Sequence, residues 1–343
     1  MSVTAFGPGR VNLIGEHTDY NGGLSLPFAI ADGVTVTATA LPGDRIEAIA
    51  HDLGEHDDFG LAAPERVDGW RAFVRGIAAE LAADGRPVPA ARLEISGTLA
   101  RGSGLSSSAA LEVALCLALL GLAGAPPAGD ADRLRLARLC SRVENDWVGA
   151  ETGLLDQTAS LLGRAGQALR IDFATLTVEH VPLELGDWTL VTVDSGEAHS
   201  HAGSGYNRRR AECIAAAEAL GVATLSEATA AGAAGLPDVL GRRTRHVLEE
   251  NARVRDTVEA LRAGDLASVG ALLDASHASL RDLYDSSTDA VERAVTALRD
   301  AGASGARMVG GGFGGHVLGL LPPGVTAPPG ATTVTPGAGG RIV

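Results

Sequence analysis

The chain contains no lysine; all 28 of its basic residues are arginine. That absence excludes the P-loop lysine, the protein-kinase lysine and any lysine Schiff base. High Ala, Gly and Arg content fits a GC-rich genome, so the missing lysine need not be a functional choice. Cysteine is also scarce. Cys116, Cys140 and Cys213 are too widely spaced for a disulfide framework or a metal motif, and burial is expected for all three. No apolar run is long enough to span a bilayer, and the N-terminus lacks the basic-then-apolar order of a signal peptide, so a cytoplasmic protein without a membrane partner is expected. Positive charge is outweighed by negative. A net charge of -14 and a pI near 5.0 oppose attraction to nucleic acid, so any phosphate must be held by local geometry.

At 343 residues the chain exceeds one typical domain, and two packed lobes are expected, residues 1–175 and 176–343. A hydrophobic content of 45% and a mean hydropathy of +0.14 indicate a globular protein. "GVTVTATA" (33–40) has the period-two alternation of a strand with one buried face. "GWRAFVRGIAAELAADG" reads as a helix closed by Gly85, and "RLEISGTLA" as a strand. A helix apolar on nearly all sides except Glu112 is expected from Ser106 to Leu120, and another from an Asp132 N-cap to Val148. Beyond the strand "WTLVTVDS", helices are expected over 206–220, 244–262, 265–283 and 289–301, then a glycine-rich turn and the strand "HVLGLL". Mixing without strict βαβ alternation implies two α+β lobes, with mixed sheets packed against helices.

Four stretches carry candidate chemistry. In "RGSGLSSSAALEVALCLALLG", Gly102 and Gly104 and three serines precede the buried helix; free N–H groups and the helix dipole would cradle an anion, and the hydroxyls would add donors or ligands for a hard cation. An ordinary Gly/Ser turn capping a core helix is the other reading. Glu144 shares a helical face with Cys140 and Trp147, which demands a partner: a metal ion, or a nearby arginine. Asp156, in "TGLLDQTAS", follows the Gly153 turn at a helix start, where an acid is either catalytic or simply favoured by the dipole. "ARMVGGGFGG" packs glycine against something close or forms a tight helix-to-strand turn. "GRVNLIGEHTDYNGG" crowds Arg10, Glu16, His17 and Asp19 around an apolar step, suited to a polyhydroxylated ligand or to a solvated loop.

Together these stretches resemble the galactokinases of the GHMP small-molecule kinase family, over essentially the whole chain. "PGRVNLIGEHTDYNGG" looks like their N-terminal signature, "GSGLSSSAA" like the phosphate loop and "ARMVGGGFGG" like the third motif, with "WRAFVRG", "VEN", "GLLDQ", "GYNRRRAEC" and "SHASLRDLY" in matching order. The resemblance implies a two-lobed GHMP fold with the active site in the cleft between lobes. It implies transfer of the ATP γ-phosphoryl to the C1 hydroxyl of galactose. Asp156 would accept or orient the hydroxyl proton, and Arg10, its neighbour, would stabilise transferred charge. Glu16, His17, Asp19, Gly153 and Tyr206 would hold the sugar. Gly102, Ser103, Gly104, Leu105, Ser106, Ser107 and Ser108 would wrap the ATP phosphates, Ser108 and Glu144 would hold Mg2+, and Trp70 and Phe73 would line the adenine pocket. A monomer or weak homodimer with no macromolecular partner is expected. Val309, where the family usually has Thr, His316, where it often has Cys, and Phe73, for a common Tyr, depart from the pattern. The alternatives are a sister kinase for galacturonate, arabinose or N-acetylgalactosamine, whose uronate version Glu16 and Asp19 oppose, and a non-catalytic galactose/ATP sensor, which the intact Ser106–Ala110 run and Asp156 oppose.

Overall fold

Val34, Val36 and Ala38 are buried and the threonines between them are not, so the period-two alternation does mark a strand with one face in the core. The computed structural model describes residues 1–99, 104–150, 152–197 and 202–343, without the side chains of 202–204. In chain order the strands are β1 (Ser2–Asn12), β2 (Leu24–Ser25), β3 (Pro27–Ala40), β4 (Arg45–Ala50), β5 (Glu55–Gly60), β6 (Ala91–Gly97), β7 (Gln167–Asp172), β8 (Thr177–Pro182), β9 (Thr189–Asp194), β10 (Gly305–Met308), β11 (His316–Leu321), β12 (Thr332–Thr333) and β13 (Arg341–Ile342). The helices are α1 (Trp70–Ala83), α2 (Ser107–Leu122), α3 (Gly129–Arg142), α4 (Leu155–Leu162), α5 (Ala202–Leu220), α6 (Ala230–Ala234), α7 (Asp238–Ala263), α8 (Leu266–Asp282) and α9 (Asp289–Asp300).

A six-stranded sheet runs β13-β1-β3-β6-β4-β5, antiparallel except at the parallel β4–β6 pair. Helix α2, rich in Ala and Leu, has no polar stripe and lies buried against β1 and β3. The approach is close enough to require glycine. A Cβ on Gly7 would run into the backbone of Ala110, and one on Gly9 would stand 2.7 Å from the Leu105 carbonyl oxygen. A second sheet, β10-β11-β9-β12, carries α8 and α9 on β10. The side chains of Asp265 and Thr288 accept N–H bonds at the starts of α8 and α9. A small third sheet is β2-β7-β8.

Val11, Leu13 and Ile14, the apolar step of the charged N-terminal stretch, are fully buried with Val254, Leu273, Val309 and Leu318. They form a seam between the first and last thirds of the chain. The three cysteines are buried, as expected. Two expectations are corrected. The third helix begins at Gly129 rather than at an Asp132 cap; Asp132 lies inside its first turn, where it accepts bonds from Arg86 and the Ala128 N–H. Its α-form ends at Arg142 and continues as a π-helical turn, Val143–Val148, a geometry without a periodicity signal. The glycine-rich turn joins two strands, β10 and β11, not a helix and a strand; β10 has four residues, all buried, and so shows no alternation.

Leu93 is fully buried in β6 between Ala38 of β3 and Ala48 of β4. Leu93→Ala is expected to lower unfolding free energy by about 2–5 kcal/mol in urea titration. A loss below about 1 kcal/mol would show that this sheet is not the centre of the core.

Candidate active site

Register between β1 and β3 slips between Pro8 and Arg10: Gly9 has no partner on β3, and the ladder resumes with Arg10 opposite Ala29. The Arg10 backbone N–H donates to the Leu105 carbonyl at 3.1 Å. Its guanidinium, nearly buried, reaches Asp156 Oδ1 through both Nε and Nη2 at 2.7 Å, while Nη1 donates to the Gly104 carbonyl at 2.6 Å. The Ser106 hydroxyl donates to the other carboxylate oxygen of Asp156. Ser106 holds a left-handed backbone (φ 61°), unusual for a residue with a side chain, immediately before α2. Asp156 sits in the first turn of α4, as expected, with its side chain 28% exposed.

On one side of this pair lies the charged N-terminal loop. Glu16 Oε1 accepts the Gly310 N–H at 2.8 Å and lies 3.4 Å from Arg307 Nη2. Burial pushes the Glu16 carboxyl up, against the opposing pull of Arg307 and Arg10. Arg307, fully buried, also donates to the carbonyls of Asn12 and Leu13. The two ring nitrogens of His17 are both engaged within the protein, with Tyr20 Oη at 2.8 Å and the Gly311 carbonyl at 3.2 Å. Asp19 lies against Gly153, where a Cβ would collide with its carboxylate. Tyr206 stacks at 5.5 Å on the His17 ring. Glu16, His17, Asp19, Gly153 and Tyr206 line one cavity of about 530 Å³, with Arg10, Asp156, Gly104, Ser106, Ser107, Ser108, Glu144 and the Gly310–Gly312 turn.

On the other side Glu144 projects from the π-helical turn. It accepts from Thr152 Oγ1 at 2.9 Å and Gln157 Nε2 at 2.7 Å, and Ser108 also bonds it; the arginine partner considered from sequence is replaced by these neutral donors. Trp147 packs instead on Gly76 of α1. Burial and the negative charge of Asp156 push the Glu144 carboxyl up. A buried carboxylate with no cationic partner among the described residues, beside a hydroxyl that opens onto the cavity, is the hard-oxygen donor set that suits Mg2+ completed by phosphate oxygens. Gln157 also bridges to the fully buried Glu112 at 3.1 Å.

A second cavity of about 330 Å³ shares Ser107 and Ser108 with the first and is walled by Val34, Leu53, Trp70, Phe73, Ile95 and Leu111. Its apolar lining at the start of α2 suits a flat base beside a phosphate chain. Trp70 is held by an Nε1–H bond to Glu55 at 2.8 Å. Leu105 contributes its backbone to Arg10, and its side chain packs in the apolar seam. Gly102 and Ser103 lie outside the described residues. Sequence reasoning missed Thr152, Asn207 and the bridging Gln157; the one local hint was Glu112, a lone acid in an apolar helix whose burial requires a polar partner.

The comparisons with known proteins agree with this architecture. A family model for the galactokinase galactose-binding signature matches residues 2–40, one for the GHMP kinase N-terminal domain matches 72–164, and one for the GHMP kinase C-terminal region matches 257–328. The galactokinase of Mycobacterium tuberculosis is 44% identical over 329 residues, covering 94% of this chain and 90% of its own, and that of Thermotoga neapolitana is 39% identical over 312, covering 91% and 87%. The crystal structure of Lactococcus lactis galactokinase complexed with galactose superposes with a TM-score of 0.92 at 32% identity, covering 99% of this chain and 95% of that one. The fold and the two-sided cavity therefore define a GHMP kinase, an ATP-dependent phosphotransferase. Within that class the chain belongs to the galactokinase family.

Burial and the neighbouring Asp156 charge push the Asp19 carboxyl up to about 6 from an ordinary value of 3.8. Folding thus favours its protonated form; that contribution is complete below pH 3.8 and is lost as pH rises through about 6. Asp19→Asn, neutral throughout, is expected to gain stability relative to the parent between pH 4 and pH 7 in urea unfolding. A stability difference that does not change with pH would contradict the buried-acid assignment.

Proposed function

We propose that the chain transfers the γ-phosphoryl group of ATP to the C1 hydroxyl of α-D-galactose, giving galactose 1-phosphate and ADP. The observation that carries this reading is Asp156, fixed through one carboxylate oxygen by Arg10 and through the other by Ser106, at the point where a cavity holding several charged side chains meets the start of a buried helix. The sugar lies on the Glu16, His17, Asp19, Gly153 and Tyr206 side. The nucleotide lies on the Ser106–Ser108 side, with its base between Trp70 and Phe73 in the apolar cavity. Two lobes dividing near residue 175 remain our reading of the domain organisation, with walls of the cavity drawn from both.

In the reaction the sugar O–H bond breaks as its oxygen forms a bond to the γ-phosphorus, the bond from that phosphorus to the ADP oxygen breaks, and the proton passes to Asp156. Ser106 and Arg10 orient the carboxylate for that proton, a contribution typically worth about 10²–10⁴-fold. Arg10 and the N–H groups at the start of α2 meet charge on the phosphoryl oxygens, as transfer of this kind depends on positioning and electrostatics. Ser108 and Glu144 would hold Mg2+, which when bound neutralises phosphate charge. Asp19 and Glu16 select hydroxyl-rich neutral sugars, because their carboxylates accept hydroxyl hydrogen bonds and repel a uronate.

The test is an ATP-dependent phosphorylation screen over galactose, galacturonate, arabinose, N-acetylgalactosamine and glucose, with NMR locating the phosphate. Galactose is expected to be the preferred acceptor and C1 the position; faster turnover of galacturonate, or binding of both ligands without product, would overturn the assignment. Asp156→Ala is expected to lower kcat by about 10²–10⁴-fold while calorimetry still detects galactose binding. A near-normal kcat in this variant would remove Asp156 from the proton-accepting role.

A further inference from the structure

Two sequence landmarks, "GYNRRRAEC" and "SHASLRDLY", end in residues that the phosphoryl-transfer chemistry does not use, Cys213 on α5 and Tyr284 just beyond α8. Both are buried, and they meet: Cys213 Sγ lies 3.0 Å from Tyr284 Oη, which lies 2.9 Å from Tyr20 Oη, which lies 2.8 Å from His17 Nδ1. On its far side His17 Nε2 lies 3.2 Å from the Gly311 carbonyl. The groups form one continuous chain from the C-terminal half to the glycine turn of the cavity wall.

The direction of every bond in this chain is set by one end. A carbonyl oxygen only accepts, so Nε2 carries the hydrogen. Burial, with His246, Arg209 and Arg307 nearby, pushes His17 down to about 3, so the ring is neutral and Nδ1 has no hydrogen. Tyr20 must therefore donate to Nδ1, Tyr284 must donate to Tyr20, and the Cys213 thiol must donate to Tyr284. His17 is otherwise in an awkward position, with a left-handed backbone (φ 60°) and its ring against Tyr284 at 4.5 Å. Its neighbour Glu16 accepts the Gly310 N–H. Consecutive residues of the N-terminal loop thus grip an N–H and a carbonyl of consecutive glycines.

We infer that Tyr20, Tyr284 and Cys213 are positioning residues for sugar recognition: through one directed hydrogen-bond chain they hold the His17 imidazole as an Nε2–H donor to the Gly311 carbonyl, and so hold the glycine turn against the cavity. The inference rests on the assignment of the sugar to this side of the cavity. Position along the chain decides the effect of each residue. Losing the Tyr20 hydroxyl leaves Nδ1 without a donor; losing that of Tyr284 leaves the Tyr20–His17 bond in place; losing the thiol leaves both.

The experiment combines kinetics with NMR of 15N-histidine-labelled protein, His17 being assigned by comparison with His17→Gln. The unaltered protein is expected to show a neutral His17 protonated at Nε2 at pH 7, with Nδ1 shifting in Tyr20→Phe. Tyr20→Phe is expected to raise the galactose KM by about 5–30-fold, Tyr284→Phe by about 2–5-fold and Cys213→Ala by less than about 2-fold, the size of one buried hydrogen bond lost at increasing remove. ATP KM and kcat stay within about 2-fold, because no member of the chain contacts Asp156. An Nδ1–H tautomer or an imidazolium in the unaltered protein would overturn the chain without any variant. Equal KM rises in the three variants, or matching rises for ATP, would mean general loosening and would also overturn it. If the unaltered protein does not phosphorylate galactose, the substrate assignment fails, and the tautomer measurement still decides the chain.

Discussion

The ion pair between Arg10 and Asp156 joins residues 146 apart in the chain and fixes the relation of three segments at once. β1 supplies the cation, α4 the anion, and the turn before α2 accepts and donates through Gly104 and Ser106. Removing a guanidinium from water costs several kcal/mol unless its N–H groups are met, and here Nε, Nη1 and Nη2 all have partners. An apolar pair of similar volume would stabilise a fold at least as well. What only the ionic pair provides is a carboxylate of fixed orientation at the mouth of a cavity, and the proposed proton transfer is what would require it.

Arginine alone suffices for the positive charge of this site because geometry matters there more than number. Arg10 presents a planar fork to one carboxylate and one carbonyl, and Arg307 caps two carbonyls of the β1 end while facing Glu16. A lysine would place one point charge in either position without fixing an orientation. Among the described residues, the remaining charged groups lining the cavity are the acids Glu16, Asp19, Glu144 and Asp156. An acidic wall of this kind rewards a ligand that brings hydroxyl donors, and tolerates polyphosphate only where helix N–H groups and a cation meet it.

Elements with long, regular patterns were legible in the sequence: β3 from its alternation, α2 from its unbroken apolar surface, and the amphipathic helices of the second half from their spacing. The charged residues of the candidate site were legible as a group, since Arg10, Glu16, Asp19, Glu144 and Asp156 do converge on one cavity. What was hidden is pairwise and long-range. Nothing local announces that Ser106 spends its hydroxyl on Asp156, that His17 uses both ring nitrogens inside the protein, or that Gln157 bridges two buried acids. The π-helical turn under Glu144 was hidden for a different reason: one residue more per turn shifts which side chains face the cavity without altering composition.

Strain marks some of the same places. Among the described residues five with side chains hold left-handed backbones, His17, Ser106, Leu176, Asp285 and Phe313, and three of them, His17, Ser106 and Phe313, stand where a segment enters or leaves the cavity wall. Such conformations persist only where surrounding contacts over-determine them. His17 is held by Tyr20 and Gly311, Ser106 by Asp156, and the Phe313 N–H by the Ser286 carbonyl. Every one of these restraints comes from a different part of the chain than the residue it holds, apart from Tyr20. The cavity is therefore a property of the completed fold, since no single segment can keep its own strained residue in place, and the seam of Val11, Leu13 and Ile14 against the C-terminal core is what brings the restraints together.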